Sequence, residues 1–228
     1  MKLLDRVQNE QYIAFCDQDD RWETFHLSEA IASLNNYSVL QPALYFPRYS
    51  YIDSNSKNVG IRKSGSKVGI RNALVENQAT GCGIVLNRPA FDTLEKIPFS
   101  PTLYLDHQLY YVFSMIGKVI QGSTASVNYR VHENNMVGIR KHDFKSIQKI
   151  IKDIQNKKYI EQRIHFENQF SHLKNMFVIQ EQEELVAYFN SARSDLFARL
   201  RYSLNPWFVR ENKIDQLLFR ILFVLGDL

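Results

Sequence analysis

The run Tyr12-Ile13-Ala14-Phe15-Cys16 is apolar throughout and stops at Asp17-Gln18-Asp19-Asp20. A short continuous apolar run cut off by a polar turn is the pattern of a buried central strand. Three carboxylates crowded into the turn repel one another, so a site of this kind wants a divalent cation unless it is a solvated loop or a helix cap. Beyond the turn, Leu27, Ala30, Ile31 and Leu34 recur at helical spacing, and Asn35-Asn36 supplies a stop. The unit is strand, acidic loop, helix, and it sets an expectation of an α/β fold.

The rest of the chain extends that pattern. Val39 to Tyr51 is aromatic and β-branched in part but broken by Pro42 and Pro47, which predicts an edge strand leading into a mobile loop from Asp53 to Gly69. Gly81-Cys82-Gly83-Ile84-Val85-Leu86-Asn87 predicts a second buried strand, opened by glycines that allow close backbone approach. Leu109, Val112, Phe113 and Ile116 predict an amphipathic helix that starts near Asp106 and stops at Gly117. Val119-Ile120 and Ser126 to Arg130 predict two short strands, and Ile139 onward changes to helical arms with Ile147, Ile150, Ile151 and Ile154 on one face. The opening Leu3 to Val7 has the pattern of a helix end. Residues 1–138 form one expected unit and 139–228 a helical C-terminal region that packs on it or on a membrane surface.

Composition bounds the function. With 228 residues, 45% hydrophobic and 13% aromatic, the chain can bury one good core, which excludes disorder over its whole length. Two cysteines, Cys16 and Cys82, form no disulfide framework or zinc spacing, and the N-terminus carries no signal-like apolar stretch. Both observations predict a cytoplasmic protein. Residues 140 to 178 hold nine basic against four acidic residues, a solvated helix face or an attraction to an anionic surface. No nucleic-acid recognition motif accompanies the charge, so nucleic acid is not an expected partner. Ile214 to Leu225 is apolar but about half the ~20 residues that a spanning helix needs. With Arg210, Lys213 and Arg220 around it and Trp207 and Phe208 ahead of it, it predicts either peripheral contact with the inner face of the cytoplasmic membrane or closure of the core by Leu217, Leu218, Ile221 and Leu222.

Oxygen-only ligation from the turn of Asp17, Asp19 and Asp20 points to Mg²⁺ or Mn²⁺, with coordination positions left for a substrate's phosphates. The string Phe15-Cys16-Asp17-Gln18-Asp19-Asp20-Arg21-Trp22 resembles the aspartate loop of family 2 glycosyltransferases, in particular their rhamnosyltransferase-like branch. Three further segments agree in order and spacing. Gly81 to Asn87 resembles that branch's glycine-cysteine strand, Leu105-Asp106-His107 its aspartate at a helix start, and Tyr129-Arg130-Val131-His132 its tyrosine-arginine-x-histidine loop.

The resemblance implies an A-type nucleotide-sugar sandwich with a mixed central sheet and C-terminal helical arms. It implies a metal on Asp17 and Asp19, diphosphate contacts from Asp20, Arg130 and His132, and Asp106 as general base, although aspartate at a helix start is also a favoured cap. Gly81, Cys82, His107 and Trp22 would line the sugar or acceptor pocket, while glycine and cysteine in a buried strand also serve as plain packing. The implied partners are a nucleotide-diphosphate sugar, possibly deoxythymidine-diphosphate rhamnose, and a saccharide or lipid-linked acceptor.

Departures are Arg21 where the family has an aliphatic residue, His26 where it has a lysine, and His107-Gln108 where it often has an aromatic pair. That family also places strand-helix units before its aspartate loop, whereas sixteen residues precede Asp17 here. Since one such unit takes about 30 residues, the expectation is a truncated sandwich with an exposed sheet edge near Tyr12 to Cys16, covered by a homodimer or a partner chain. An inactive fragment acting as an interaction protein is the alternative function. A phosphohydrolase with an aspartate nucleophile is disfavoured, because Arg21-Trp22 stands where such enzymes want a small or hydroxyl residue.

Overall fold

The computed structural model describes residues 7–37, 40–62, 68–132, 158–204 and 210–226. Strands β1 (Tyr12–Ala14), β2 (Arg21–Trp22), β3 (Ala43–Ile52), β4 (Asn58–Ile61), β5 (Val85–Asn87) and β6 (Lys118–Arg130) form one mixed sheet. Its order is β1-β5-β3-β6-β2, with β4 paired to the far half of β3. Among the described residues only β3 and β6 run parallel. The sheet curls strongly, toward a half-barrel. The helices are α1 (His26–Asn35), α2 (Ile70–Ala73), α3 (Arg88–Leu94), α4 (Leu105–Ile116), α5 (Lys158–Met176), α6 (Gln180–Ser191), α7 (Leu196–Ser203) and α8 (Lys213–Leu225).

Strand alternation sorts the side chains onto two faces. Ala43, Tyr45 and Val85 meet Ala30 and Leu34 of α1, whereas Leu44, Phe46, Ile84 and Leu86 meet α3 and α4 in the main core. Phe166 and Leu173 of α5 and Val186 of α6 belong to that same main core. The C-terminal helices therefore complete the core that the strands begin. No helix among the described residues is long and apolar enough to cross a membrane.

Several sequence expectations change. The apolar run at Tyr12 is not the central strand that its pattern predicts, and it lies at the sheet edge expected near Tyr12 to Cys16: β1 pairs with β5 on one side and, among the described residues, with nothing on the other. Of the run's residues Ile13 is buried in the main core and Tyr12 is half-buried against the α1 layer, whereas Ala14 and Cys16 are exposed.

β3, expected at an edge because of its prolines, is central. Pro47 is tolerated because β6 bulges opposite it: Phe46 pairs with Gln121 and Arg48 with Ala125, so the ladder asks nothing of the missing Pro47 N–H. Glu29 of α1 holds the bulge by accepting from Ser123 N and Oγ, both at 2.8 Å. The two short strands expected at Val119 and Ser126 are consequently one bulged strand.

Strand β4, inside the expected loop, and helix α3 went unpredicted. Helix α3 carried a signal, since Asn87 caps it, accepting from Ala90 N at 3.1 Å, and a proline occupies its first turn. Asn87 also accepts from Ala43 N at 2.9 Å, so one amide joins the helix start to β3.

In α8 the buried residues are Asp215, Phe219 and Phe223, not the expected Leu217, Leu218, Ile221 and Leu222. Leu217 and Ile221 are exposed, and Leu218 and Leu222 half-buried. The expected helix end at Leu3 and the face of Ile147, Ile150, Ile151 and Ile154 lie outside the described residues, as do Trp207 and Phe208.

Candidate functional site

The acidic loop is fixed by the strand that leads into it. Beyond Ala14, Phe15 N donates to Ile84 O and Gly83 N to Phe15 O, both at 2.8 Å. This ladder presses the loop against the Gly81–Gly83 turn. Ligand atoms of Asp17, Asp20 and Cys82 thereby lie within 4.8 Å of one another. Gly83 lets the turn pack closely on β6 and β3: its φ is +92°, and a Cβ there would stand 2.8 Å from Val127 Cγ2 and 3.0 Å from Pro47 Cγ.

The end of β6 closes over the same loop. Arg130 N donates to Asp20 Oδ1 at 2.8 Å, and His132 Nε2 bonds Asp19 Oδ2 at 2.9 Å. The Arg130 guanidinium is spent on structure: its Nε donates to Asp19 O at 2.9 Å and its terminal nitrogens to Asp53 O, Ser54 O and Ser56 Oγ. It ties the acidic loop to the β3–β4 turn. Asp106 reaches the site from the first turn of α4, where the cap position belongs to Tyr104. Asp106 Oδ2 accepts from Gly81 N at 3.2 Å and Oδ1 from His107 N at 2.7 Å. Four segments far apart in sequence therefore meet at one end of the sheet.

Burial dominates the electrostatics. It raises the Asp17 and Asp20 carboxyls above the usual range, and neighbouring aspartates add to it; for Asp20 the Arg130 amide and the Cys82 thiol pull the other way. The Cys82 thiol is pushed well above its ordinary value by burial and then by Asp20, Asp17 and Asp106. Asp106 is raised by burial, against the His107 and Gly81 amides.

These groups fit a hard divalent cation. Asp20 Oδ2 is buried with no hydrogen-bond partner, and two carboxylates that repel each other gain from a dication. Cys82, held as a neutral thiol, is a poor ligand for Mg²⁺ or Mn²⁺ and lines the site beside them. The carboxylate pair that comes together is Asp17 with Asp20, whereas the expected metal ligand Asp19 is engaged by His132.

Trp22 packs on Tyr49, Cys82 and Val127, with its ring 4.6 Å from that of His26. His26 is buried, bonds Ser126 Oγ at 2.9 Å and has its pKa lowered by burial. His107 turns toward α5: Gln162 Nε2 lies 3.3 Å from its Nδ1, and its ring meets the edge or face of Phe166. Burial lowers its pKa to about 4. Arg62, which sequence reasoning passed over, is half-buried behind the site, donating to Tyr49 Oη at 2.5 Å and Thr80 Oγ1 at 3.2 Å. An arginine in a polar loop carries no sequence signal of such burial. No protein-family model matches the chain, and a comparison with curated proteins returns no match.

Proposed function

We propose that the chain is an inverting glycosyltransferase of the A-type nucleotide-sugar architecture, acting from a nucleotide-diphosphate sugar onto a saccharide or lipid-linked hydroxyl. The observation that carries this reading is the convergence of the four motif segments, with Asp106 tied to Gly81, and Asp19 and Asp20 tied to His132 and Arg130. In the proposed site Asp17 and Asp20 hold Mg²⁺ or Mn²⁺, which when bound supplies positive charge for the donor's diphosphate. The Asp106 carboxylate takes the acceptor's hydroxyl proton. The acceptor oxygen forms its bond to the anomeric carbon as the bond from that carbon to the diphosphate oxygen breaks, and the nucleoside diphosphate leaves. Burial suits Asp106 to this role, because a base is most effective with its pKa raised toward working pH.

Arg130 is assigned a positioning role, since its guanidinium is committed to backbone carbonyls. Cys82, Gly81 and Trp22 form the wall behind the sugar, while His107 supports α4 from the side of α5. A lipid-linked acceptor agrees with the C-terminal helices. Packed together, α7 and α8 leave Phe197, Leu200, Leu217, Ile221 and Leu225 exposed, with Arg199, Arg201 and Lys213 nearby in sequence.

The test is calorimetry with Mn²⁺ together with transfer from a panel of nucleotide-diphosphate sugars. Asp17→Asn and Asp20→Asn should abolish Mn²⁺ binding, and Asp19→Asn should retain it. Asp106→Asn should lower transfer by about 10²–10⁴-fold at unchanged donor affinity. Unaltered Mn²⁺ affinity in Asp20→Asn, or transfer within a few-fold of the parent in Asp106→Asn, defeats the assignment.

A further inference from the structure

Asn77 to Thr80 lead from α2 to the glycine turn without helix or strand structure. Among the described residues no backbone–backbone hydrogen bond holds them. Ala79 is buried in the main core, and both hydrogen bonds that reach this segment come from one side chain. Arg62 Nη1 donates to Thr80 Oγ1 at 3.2 Å, and Nη2 donates to Asn77 O at 3.3 Å. The other end of the clamp is β3. Arg62 N donates to Tyr49 O at 3.0 Å, its Nη1 donates to Tyr49 Oη at 2.5 Å, and its guanidinium carbon lies 5.3 Å from the centre of the Tyr49 ring. One arginine thus ties an irregular segment to a central strand.

The residue type suits this task. Acceptors from two segments surround one planar group, and a guanidinium offers its donors in a fixed fork where an ammonium offers them at a point. The effect passes to the next residue. Thr80 is joined to Gly81, whose amide donates to Asp106 Oδ2 at 3.2 Å, while His107 N holds the other carboxylate oxygen at 2.7 Å. Displacing Thr80 therefore moves a donor that orients Asp106. Charge acts in the same place: Tyr49 and Tyr51 of β3, Glu76 after α2 and Glu211 ahead of α8 face the Arg62 cation. Asp106 feels both that cation, which draws its carboxyl down, and Asp17, which pushes it up.

We infer that Arg62 is a positioning residue for the proposed transfer: by clamping Asn77 and Thr80 to Tyr49 it sets the Gly81 amide against the Asp106 carboxylate. The link to transfer rests on the transferase reading, whereas the clamp on Asp106 does not.

The experiment uses the full chain and separates the two. In metal-free protein the Gly81 amide resonance and the titration of the Asp106 carboxyl carbon are followed by NMR in the parent, Arg62→Met, Arg62→Lys and Thr80→Val. Arg62→Met removes clamp and charge together, so it should move the Gly81 resonance and raise the Asp106 midpoint by about half a pH unit or more. Thr80→Val is nearly isosteric and keeps the charge, so it should move the Gly81 resonance with a smaller rise. Arg62→Lys keeps the charge without the fork and should restore the midpoint more fully than the resonance. With a donor that the parent turns over, Arg62→Met should lower kcat by about 10-fold or more at a donor KM within about two-fold. Parent-like Gly81 and Asp106 signals in Arg62→Met overturn the clamp; if that variant loses its melting transition, a parent-like Gly81 signal in Thr80→Val overturns it equally. Altered signals with unchanged kcat overturn the positioning role. A parent that transfers from no donor defeats the transferase reading, and the NMR titration still decides the clamp.

Discussion

Gly83→Ala probes the link between backbone conformation and the candidate site. The residue has φ +92°, and an added Cβ would stand 2.8 Å from Val127 Cγ2, 3.0 Å from Pro47 Cγ and 3.2 Å from His26 Cε1. None of these neighbours can swing aside: Val127 is fully buried in β6, Pro47 is a rigid ring, and His26 is held by Ser126. Forcing a non-glycine residue into that backbone region costs about 1–3 kcal/mol. Overpacking a rigid surround costs about another 1–3 kcal/mol. The sum is about 2–6 kcal/mol, and at about 2–4 °C per kcal/mol for a chain of this size the central expectation is a Tm loss of about 5–15 °C. Gly81→Ala is the control, because its Cβ would meet only Asp106 Cβ at 3.9 Å, an ordinary contact. Thermal melts of both variants, followed by circular dichroism, test the argument. If the two melt within 2 °C of each other, the close packing of Gly83 on Val127, Pro47 and His26 does not fix the glycine turn.

Two further outcomes follow from the same geometry. The folded state keeps His107 neutral down to about pH 4, while an unfolded chain protonates it near 6.5. Its contribution is therefore present above pH 6.5 and lost as pH falls toward 4, by up to about 3 kcal/mol at 1.4 kcal/mol per pKa unit. Asp106, with its pKa raised, acts in the opposite sense. A His107→Gln variant should accordingly lose less Tm than the parent between pH 7 and pH 4.5, and equal losses would refute the burial argument. Flotation with vesicles rich in phosphatidylserine should carry the parent chain, and Leu217→Ser combined with Ile221→Ser should reduce it several-fold, since both residues are exposed. Equal flotation would remove the membrane role of α8.

Periodicity was sufficient for elements whose stability is local. Helix α1 ends at Asn36 and α4 at Gly117 as their stop residues predict, because an amphipathic stripe and a cap act within a few residues. The acidic turn after an apolar strand was likewise legible without coordinates, and the four segments singled out in the sequence meet at one end of the sheet. Tertiary structure decided what depends on partners distant in sequence. Pro47 argued for an edge, yet β3 became central because a bulge 75 residues later removes the hydrogen bond that proline cannot make. The apolar run at Tyr12 argued for a centre, yet β1 lies at an edge, where Ile13 is buried in the main core, Tyr12 is half-buried and Ala14 is exposed. Among the three aspartates, spacing gave no means of choosing partners. Packing did: His132 at the end of β6 engages Asp19, and the buried turn at Cys82 leaves Asp17 and Asp20 facing one another. Charge and hydrogen-bond chemistry reside in the residue types, but which groups are buried, orphaned or paired is a property of distance in space, and one sequence does not encode that in its spacing.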